Sequence, residues 1–287
     1  MIYLILSITA SLLIFVVFKL LEKFNVNTLQ SIVVNYLVAF SCGMLINQKP
    51  VAIQSIFEAQ WFLGSIVLGV MFIGIFNIMA WTAQKNGLSV ASVASKMSVI
   101  IPVIFGIYLY EESIGFQKII GIVLALISVY LVSAKSKTSV NFKKNLLLPV
   151  VLFFGSGIID TSIKYLQNNY VPEDTISLFS ASIFLIAAVV GIGILTVQFF
   201  RKEFQFDPKS ILGGIALGIV NYASLFFIIK ALNLPNTESS TLFTINNVAI
   251  VMVSTLIGLL IFKEQLSKKN WAGIGLALIS IYLVTFA

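Results

Sequence analysis

The sequence predicts an all-α integral membrane protein of ten transmembrane helices, built as two inverted five-helix repeats. Three observations lead there. Of 287 residues, 59% are hydrophobic and 10% charged, a balance that leaves a water-soluble globule no means of covering its apolar surface. Apolar runs of about twenty residues recur along the chain, each long enough at about 1.5 Å per residue to cross a hydrocarbon core of about 30 Å. The segment Gly121 to Val132, GIVLALISVYLV, returns as GIGLALISIYLV at Gly273 to Val284, identical at ten of twelve positions and displaced by 152 residues. The same displacement carries Glu112 onto Glu264, so an internal duplication accounts for the helix and the acid ahead of it.

The first run starts at Met1 without a basic stretch before it and ends near Lys19, Glu22 and Lys23, as a first span at 2–21 does and a cleaved signal does not. Spans follow at 28–46, 60–83, 88–109 and 114–133, separated by the turn-forming stretches NVNT, NQKP and KNG. The basic stretch SAKSKTSVNFKKN then intervenes, and the second set runs 146–166, 174–199, 210–232, 237–262 and 268–286. The chain thus divides into a first repeat at 1–134, an inter-repeat loop at 135–145 and a second repeat at 146–287. Because five is odd, the second copy enters the membrane from the opposite side. An in-plane pseudo-twofold axis then relates the halves, an architecture typical of secondary transporters and seldom needed by membrane enzymes or scaffolds. Each signature helix carries a small-xxx-small pair, Gly121/Ala125 and Gly273/Ala277, which admits a close helical neighbour. Trp61 and Trp271 open spans and fit an interfacial aromatic belt.

The net charge of +7 does not signal nucleic acid, because the basic residues occupy short loops and form no stripe. Loops after the odd-numbered spans hold thirteen Lys and Arg and the other face four, which by the positive-inside rule places the first group in the cytoplasm and both termini outside. Cys42 is the single cysteine and histidine is absent, so no disulfide, cysteine cluster or histidine metal site is expected, and no cofactor.

Two charges lie well inside spans, Lys96 and Asp160. A lysine about 12 Å from the entry face of span 4 costs about 2.5–3.5 kcal/mol to insert, so it should face a polar cavity or a partner. Lys96 could hold an anionic group of a substrate or release a proton during transport; it could equally be tied to a carbonyl or to Asp160. Asp160, with Lys164 one turn on, could take up a proton in an alternating-access cycle or form a local helix pair. Under the 152-residue displacement, Ser95 and Lys96 match Asn247 and Val248, so SVASKMSV and TINNVAI become facing walls of a midplane site, with Asn246 beside Asn247. Asn77 and Trp81 on span 3, and Asn221 and Tyr222 on span 8, are further candidates for substrate contact or for interhelical hydrogen bonds.

Pro102, YEE at 110–112 and Gly121, then KE at 263–264 and Gly273, resemble the repeat ends of the EamA-type branch of the drug/metabolite transporter superfamily, with Ser254 where the first copy has Pro102. The resemblance covers the whole chain. It implies a ten-helix secondary transporter, in this reading an exporter, of small metabolites such as amino acids or related organic solutes, in the bacterial inner membrane. It also implies termini in the cytoplasm, opposite to the charge count, and it brings no shared catalytic residues. Lys96, Asn246, Asn247, Ser95, Asn77, Trp81, Asn221 and Tyr222 are expected to line the substrate site, and Asp160 and Lys96 to carry proton coupling. The competing classes are a membrane enzyme acting on a lipid-linked substrate, for which the sequence lacks a cluster of acids or metal ligands, and a scaffold or channel.

Overall fold

The computed structural model describes residues 2–46, 56–102, 104–105, 115–133, 142–172, 175–232 and 239–286. Among these residues the regular structure consists of ten α-helices and no strand: α1 (Ile2–Lys23), α2 (Thr28–Ile46), α3 (Phe62–Asn86), α4 (Leu88–Met97), α5 (Phe116–Ser133), α6 (Phe142–Tyr170), α7 (Ile176–Phe200), α8 (Lys209–Leu232), α9 (Ser239–Leu260) and α10 (Lys268–Thr285). Six of them, α1, α2, α3, α6, α7 and α8, are individually long and apolar enough to cross a membrane. Within the expected fourth span, 88–109, α4 ends at Met97, a turn occupies 98–99 and residues 100–102 are helical again; the span's end at 106–109 lies outside the described residues. The sixth starts earlier than 146, because α6 takes Phe142 to Asn145 into its first turn.

The helices form two compact units, and neither follows chain order: one comprises Met1–Lys19, Ile78–Ile158 and Ala223–Ala287, the other Leu20–Asn77 and Ile159–Tyr222. Each unit therefore draws on both repeats.

In the first unit α5 packs on α10, its own repeat counterpart. Gln117 near the start of α5 donates to the Leu283 and Phe286 carbonyls at 3.3 and 3.2 Å, Ser280 Oγ donates to the Gly121 carbonyl at 2.7 Å, and Asn270 Nδ2 donates to the Val132 carbonyl at 2.6 Å. The start of each helix meets the end of the other, so the pair is antiparallel. This register brings together Ala125 and Ala277, which are counterparts under the displacement and both fully buried. Lipid tails give two helices no hydrophobic reason to associate, so contact depends on such small residues and on satisfied carbonyls. Val90, Val93, Met97, Val129, Phe153, Val251 and Ile274 close the core around the pair.

The second unit repeats the device with α2 and α7. Ala181 contacts the site of Gly43, and Val33 that of Gly191, so the register runs backwards along one helix as it runs forwards along the other. It brings Tyr36 level with its counterpart Ala188, both fully buried. The Tyr36 ring stacks on Phe184 at 6.1 Å and its hydroxyl donates to the Phe72 carbonyl at 2.9 Å. The α8 helix lies against α2 through Gly218, where an added Cβ would stand 2.7 Å from Val38 Cβ and 2.8 Å from the Asn35 carbonyl. Trp61 corrects the belt assignment: it is 3% exposed and meets Phe179 edge-on at 5.6 Å, filling the unit's core. Trp271 is 49% exposed, as a belt residue would be.

Large apolar side chains also point outward, among them Val189, Ile192 and Phe200 on α7 and Leu212 and Ile219 on α8. Contiguous apolar surface of this kind is unstable in water and suited to acyl chains.

Loops of the second unit are tied by one acid. The Asp207 carboxylate accepts the Asn27 N–H at 2.8 Å, the Lys209 N–H at 3.1 Å and the Ser210 hydroxyl at 3.3 Å, while Gln30 Oε1 accepts the Asp207 N–H at 3.0 Å. The Asn27 N–H above all holds this carboxyl below its ordinary value of 3.8. A depressed native pKa stabilises the fold above the ordinary value and loses that contribution as pH falls through the native one.

Two predictions follow from these contacts. Asp207→Asn should melt below wild type at neutral pH, and the gap should shrink on acidification past about 4 and then vanish; a pH series of thermal melts checks this. Ala277→Leu should cost about 1–3 kcal/mol by overpacking the α5–α10 crossing, whereas Ile279→Ala, 51% exposed on the same helix, should change the melt little.

Candidate functional site at the α4–α9 pair

The third pair of counterparts, α4 and α9, packs within the first unit. Ser254 Oγ donates to Ser92 Oγ at 2.6 Å, and Glu264, just past α9, reaches the start of α4, so this pair is antiparallel too. Eight of the ten residues of α4 are buried; Ser95 and Lys96 are the two that are not. The helix loses its regular hydrogen bonding just beyond them. Pro102 has no N–H to give the Ser98 carbonyl, which instead accepts from Ile101 at 2.9 Å, and Ser98 Oγ turns back to the Ser95 carbonyl at 2.5 Å. The polar window of α4 therefore sits in the last turn before a two-residue irregularity at 98–99, after which residues 100–102 are helical again. With Ser254 in place of a proline, α9 runs unbroken to Leu260.

Asn246 and Asn247 lie on α9, 5% and 7% exposed, with Asn246 Nδ2 donating to Asn247 Oδ1 at 3.4 Å. The Ser92–Ser254 contact fixes the register: Lys96 is level with Ile250, about one turn, or roughly 6 Å, from the level of the two asparagines. Asn246 Oδ1 is buried and has no hydrogen-bond partner. An unsatisfied buried polar atom costs about 1–3 kcal/mol, and in hydrocarbon no water relieves it. Sequence reasoning missed a second such atom in this unit, the Ser156 hydroxyl on α6. It adjoins Gly157, where Ile101 from beyond the end of α4 fills the space a Cβ would take. A lone serine between two glycines offers no signal on its own.

Of the other candidates, Trp81 belongs to the first unit, 43% exposed with Lys85 Nζ 5.9 Å from its ring centroid. Asn77, Asp160, Asn221 and Tyr222 fall in the second unit. Asn77 is buried, donates to the Ile73 carbonyl at 2.8 Å and leaves its own Oδ1 unpartnered. Asn221 meets the fully buried Asn35 amide to amide at 3.1 Å, a tie between α8 and α2. Tyr222 is buried beside Gly43. Asp160 and Lys164 are both exposed on α6.

Antiparallel pairing of each of three helices with its own repeat counterpart defines a polytopic membrane protein of the inverted-repeat transporter type. The chain belongs to the EamA-like transporter family, whose model matches residues 1–134 and 144–286. It is 28% identical over 292 residues to an uncharacterized protein of Haemophilus influenzae, covering 99% of this chain and 97% of that protein. An uncharacterized transporter of Archaeoglobus fulgidus is 26% identical over 231 residues, covering 75% of this chain and 76% of that one. A solved crystal structure shares the fold with a TM-score of 0.60 at 14% identity, covering 99% of this chain and 97% of that one. The protein is a multi-pass membrane transporter acting on a small-molecule substrate within the bilayer.

If the orphaned Asn246 oxygen is kept for a ligand, its loss should separate stability from activity. Asn246→Leu is expected to melt at or above the wild-type temperature while solute flux falls at least about ten-fold; a thermal melt and a flux assay on one preparation read both.

Proposed function

We propose that the protein is a secondary active exporter of small metabolites, such as amino acids or related organic solutes, in the bacterial inner membrane, working by alternating access around a site at the interface of the repeats. The observation that carries this reading is the coincidence, on one antiparallel pair of counterpart helices, of the Ser95–Lys96 window before the turn at 98–99 and the buried Asn246–Asn247 amides with an unpartnered oxygen. Lys96 supplies the cation for a carboxylate or similar anionic group. Asn246 and Asn247 supply amide donors and acceptors for the polar remainder, and Ser95 a hydroxyl. The Ser95 and Ser98 carbonyls, which accept from the Ser98 hydroxyl and the Ile101 N–H, each keep a second lone pair to offer an ammonium group. A zwitterionic or amphoteric solute matches that set of groups better than a purely apolar one.

Asp160 is the first candidate for proton coupling, with Lys96 the alternative. The repeat boundary at 135–145 then marks where two five-helix halves, fused in one chain, exchange roles during the cycle.

Flux into proteoliposomes across a panel of amino acids and related solutes, with and without a pH gradient, tests the proposal. Saturable flux that the gradient accelerates is expected. Lys96→Ala should raise KM or abolish flux, and Asp160→Asn should leave exchange but remove the gradient's effect. Wild-type rates in both variants would remove these roles, non-saturating flux would indicate a channel, and no flux with any solute a scaffold.

A further inference from the structure

The first helical N–H groups of α4 need an acceptor that α4 itself does not provide. Its N-cap is Gly87, at φ 107°, with no side chain to offer. Glu264 fills the vacancy from 176 residues away: Oε1 accepts the Leu88 N–H at 2.6 Å, and Oε2 accepts the Ser89 hydroxyl at 3.3 Å. A carboxylate at a helix N-terminus also meets the positive end of the helix dipole. The chain is shaped to deliver it. Lys263 takes the left-handed conformation at φ 52°, which turns the chain past α9, and the Glu264 N–H bonds the Gly258 carbonyl at 2.9 Å. Both walls of the cradle are glycine. A Cβ at Gly87 would stand 2.9 Å from the carboxyl carbon, and one at Gly258 2.5 Å from Oε2. The Gly258-to-Glu264 spacing recurs in the sequence as Gly106 and Glu112 at the 152-residue displacement, although those residues lie outside the described set.

This contact does more than cap a helix, because of what it joins. It fastens the outer end of α4 to the outer end of α9, and those two helices carry Ser95 and Lys96 and Asn246 and Asn247 respectively. Beside it lies a cavity of about 300 Å³ lined by Lys19, Lys85, Gly87, Val90, Glu264 and Asn270 among others, at the face where the basic loops gather. For solute to pass between α4 and α9 at that face, the carboxylate must let go of Leu88 and Ser89.

We propose that Glu264 is a latch: it holds the basic-face end of α4 against α9 in the closed state, and the face opens when Leu88 and Ser89 are released. The inference rests on the alternating-access reading for its purpose, but its test reads opening directly and needs no solute. Cys42 is replaced by serine in the full-length protein and Val90, lining the cavity and 5% exposed, by cysteine. Labelling by a membrane-impermeant maleimide is then followed in proteoliposomes, with cysteine at the exposed Gln205 in a parallel protein as a control for the reagent.

Glu264→Ala should raise the labelling rate at position 90 at least about ten-fold over the parent, a charged hydrogen bond being worth that much or more. Glu264→Gln, which keeps one acceptor for Leu88, should fall between parent and Ala, and Gln205 labelling should not move. If the alanine variant does not fold, the glutamine variant alone decides, with a rise of several-fold expected. Labelling that stays at the parent rate, even with a lowered melting temperature, would overturn the latch and leave Glu264 a static cap. Absence of solute flux in the separate transport assay would count against the transport reading without altering the labelling result.

Discussion

Hydrocarbon offers a helix no hydrophobic gain from meeting another helix, so everything here depends on pairs whose shapes and carbonyls fit without that help. The fold meets this constraint by setting a helix against an upside-down copy of itself. Ala125 with Ala277, and Tyr36 with Ala188, are counterpart positions brought together at fully buried contacts. In an antiparallel pair of like helices, one small residue in the sequence unit thins the contact from both sides at once. Duplication of a five-helix unit therefore supplies partner and geometry together, whereas an even number of helices per unit would have supplied the partner in the parallel sense.

The three pairs are not used alike. The α5–α10 contact is sealed by serine, glutamine and asparagine side chains donating to carbonyls across the pair. The α2–α7 contact is sealed by an aromatic stack and glycine. The α4–α9 pair combines an orphaned amide oxygen on α9 with a half-buried serine and lysine on α4, next to a turn that α9 lacks; the α2–α7 pair has an unpartnered atom too, the Ser31 hydroxyl. Polarity left unsatisfied costs stability, and that cost is the observation on which the proposed site rests. At the position of Pro102 the second copy has Ser254, and α9 runs without interruption where α4 has a turn at 98–99.

Much of this was legible in the sequence, for physical reasons. Span count and inversion followed from the length of apolar runs and an odd repeat number, and the α4–α9 pairing from the displacement alone. Lys96 was singled out by insertion cost, and half-burial in an otherwise buried helix is compatible with that argument. Other features depended on partners far off in the chain. Nothing near residue 88 shows that Glu264 supplies its acceptor, nothing near residue 61 that Trp61 turns inward onto Phe179, and nothing near residue 27 that Asp207 binds its N–H. The turn at 98–99 inside the fourth span is likewise not visible in the apolar run, because it depends on the hydrogen-bond register ahead of one proline.

The central claim is that α4 and α9 are an antiparallel pair of counterparts whose contact works during transport. Ser92 and Ser254, whose hydroxyl oxygens lie 2.6 Å apart, allow it to be tested most directly. Cysteines at both positions, in a protein lacking Cys42, should form a disulfide on mild oxidation, stop solute flux, and recover it on reduction. Failure of the pair to cross-link would contradict the helix pairing, and full flux through the oxidised protein would contradict its part in the cycle.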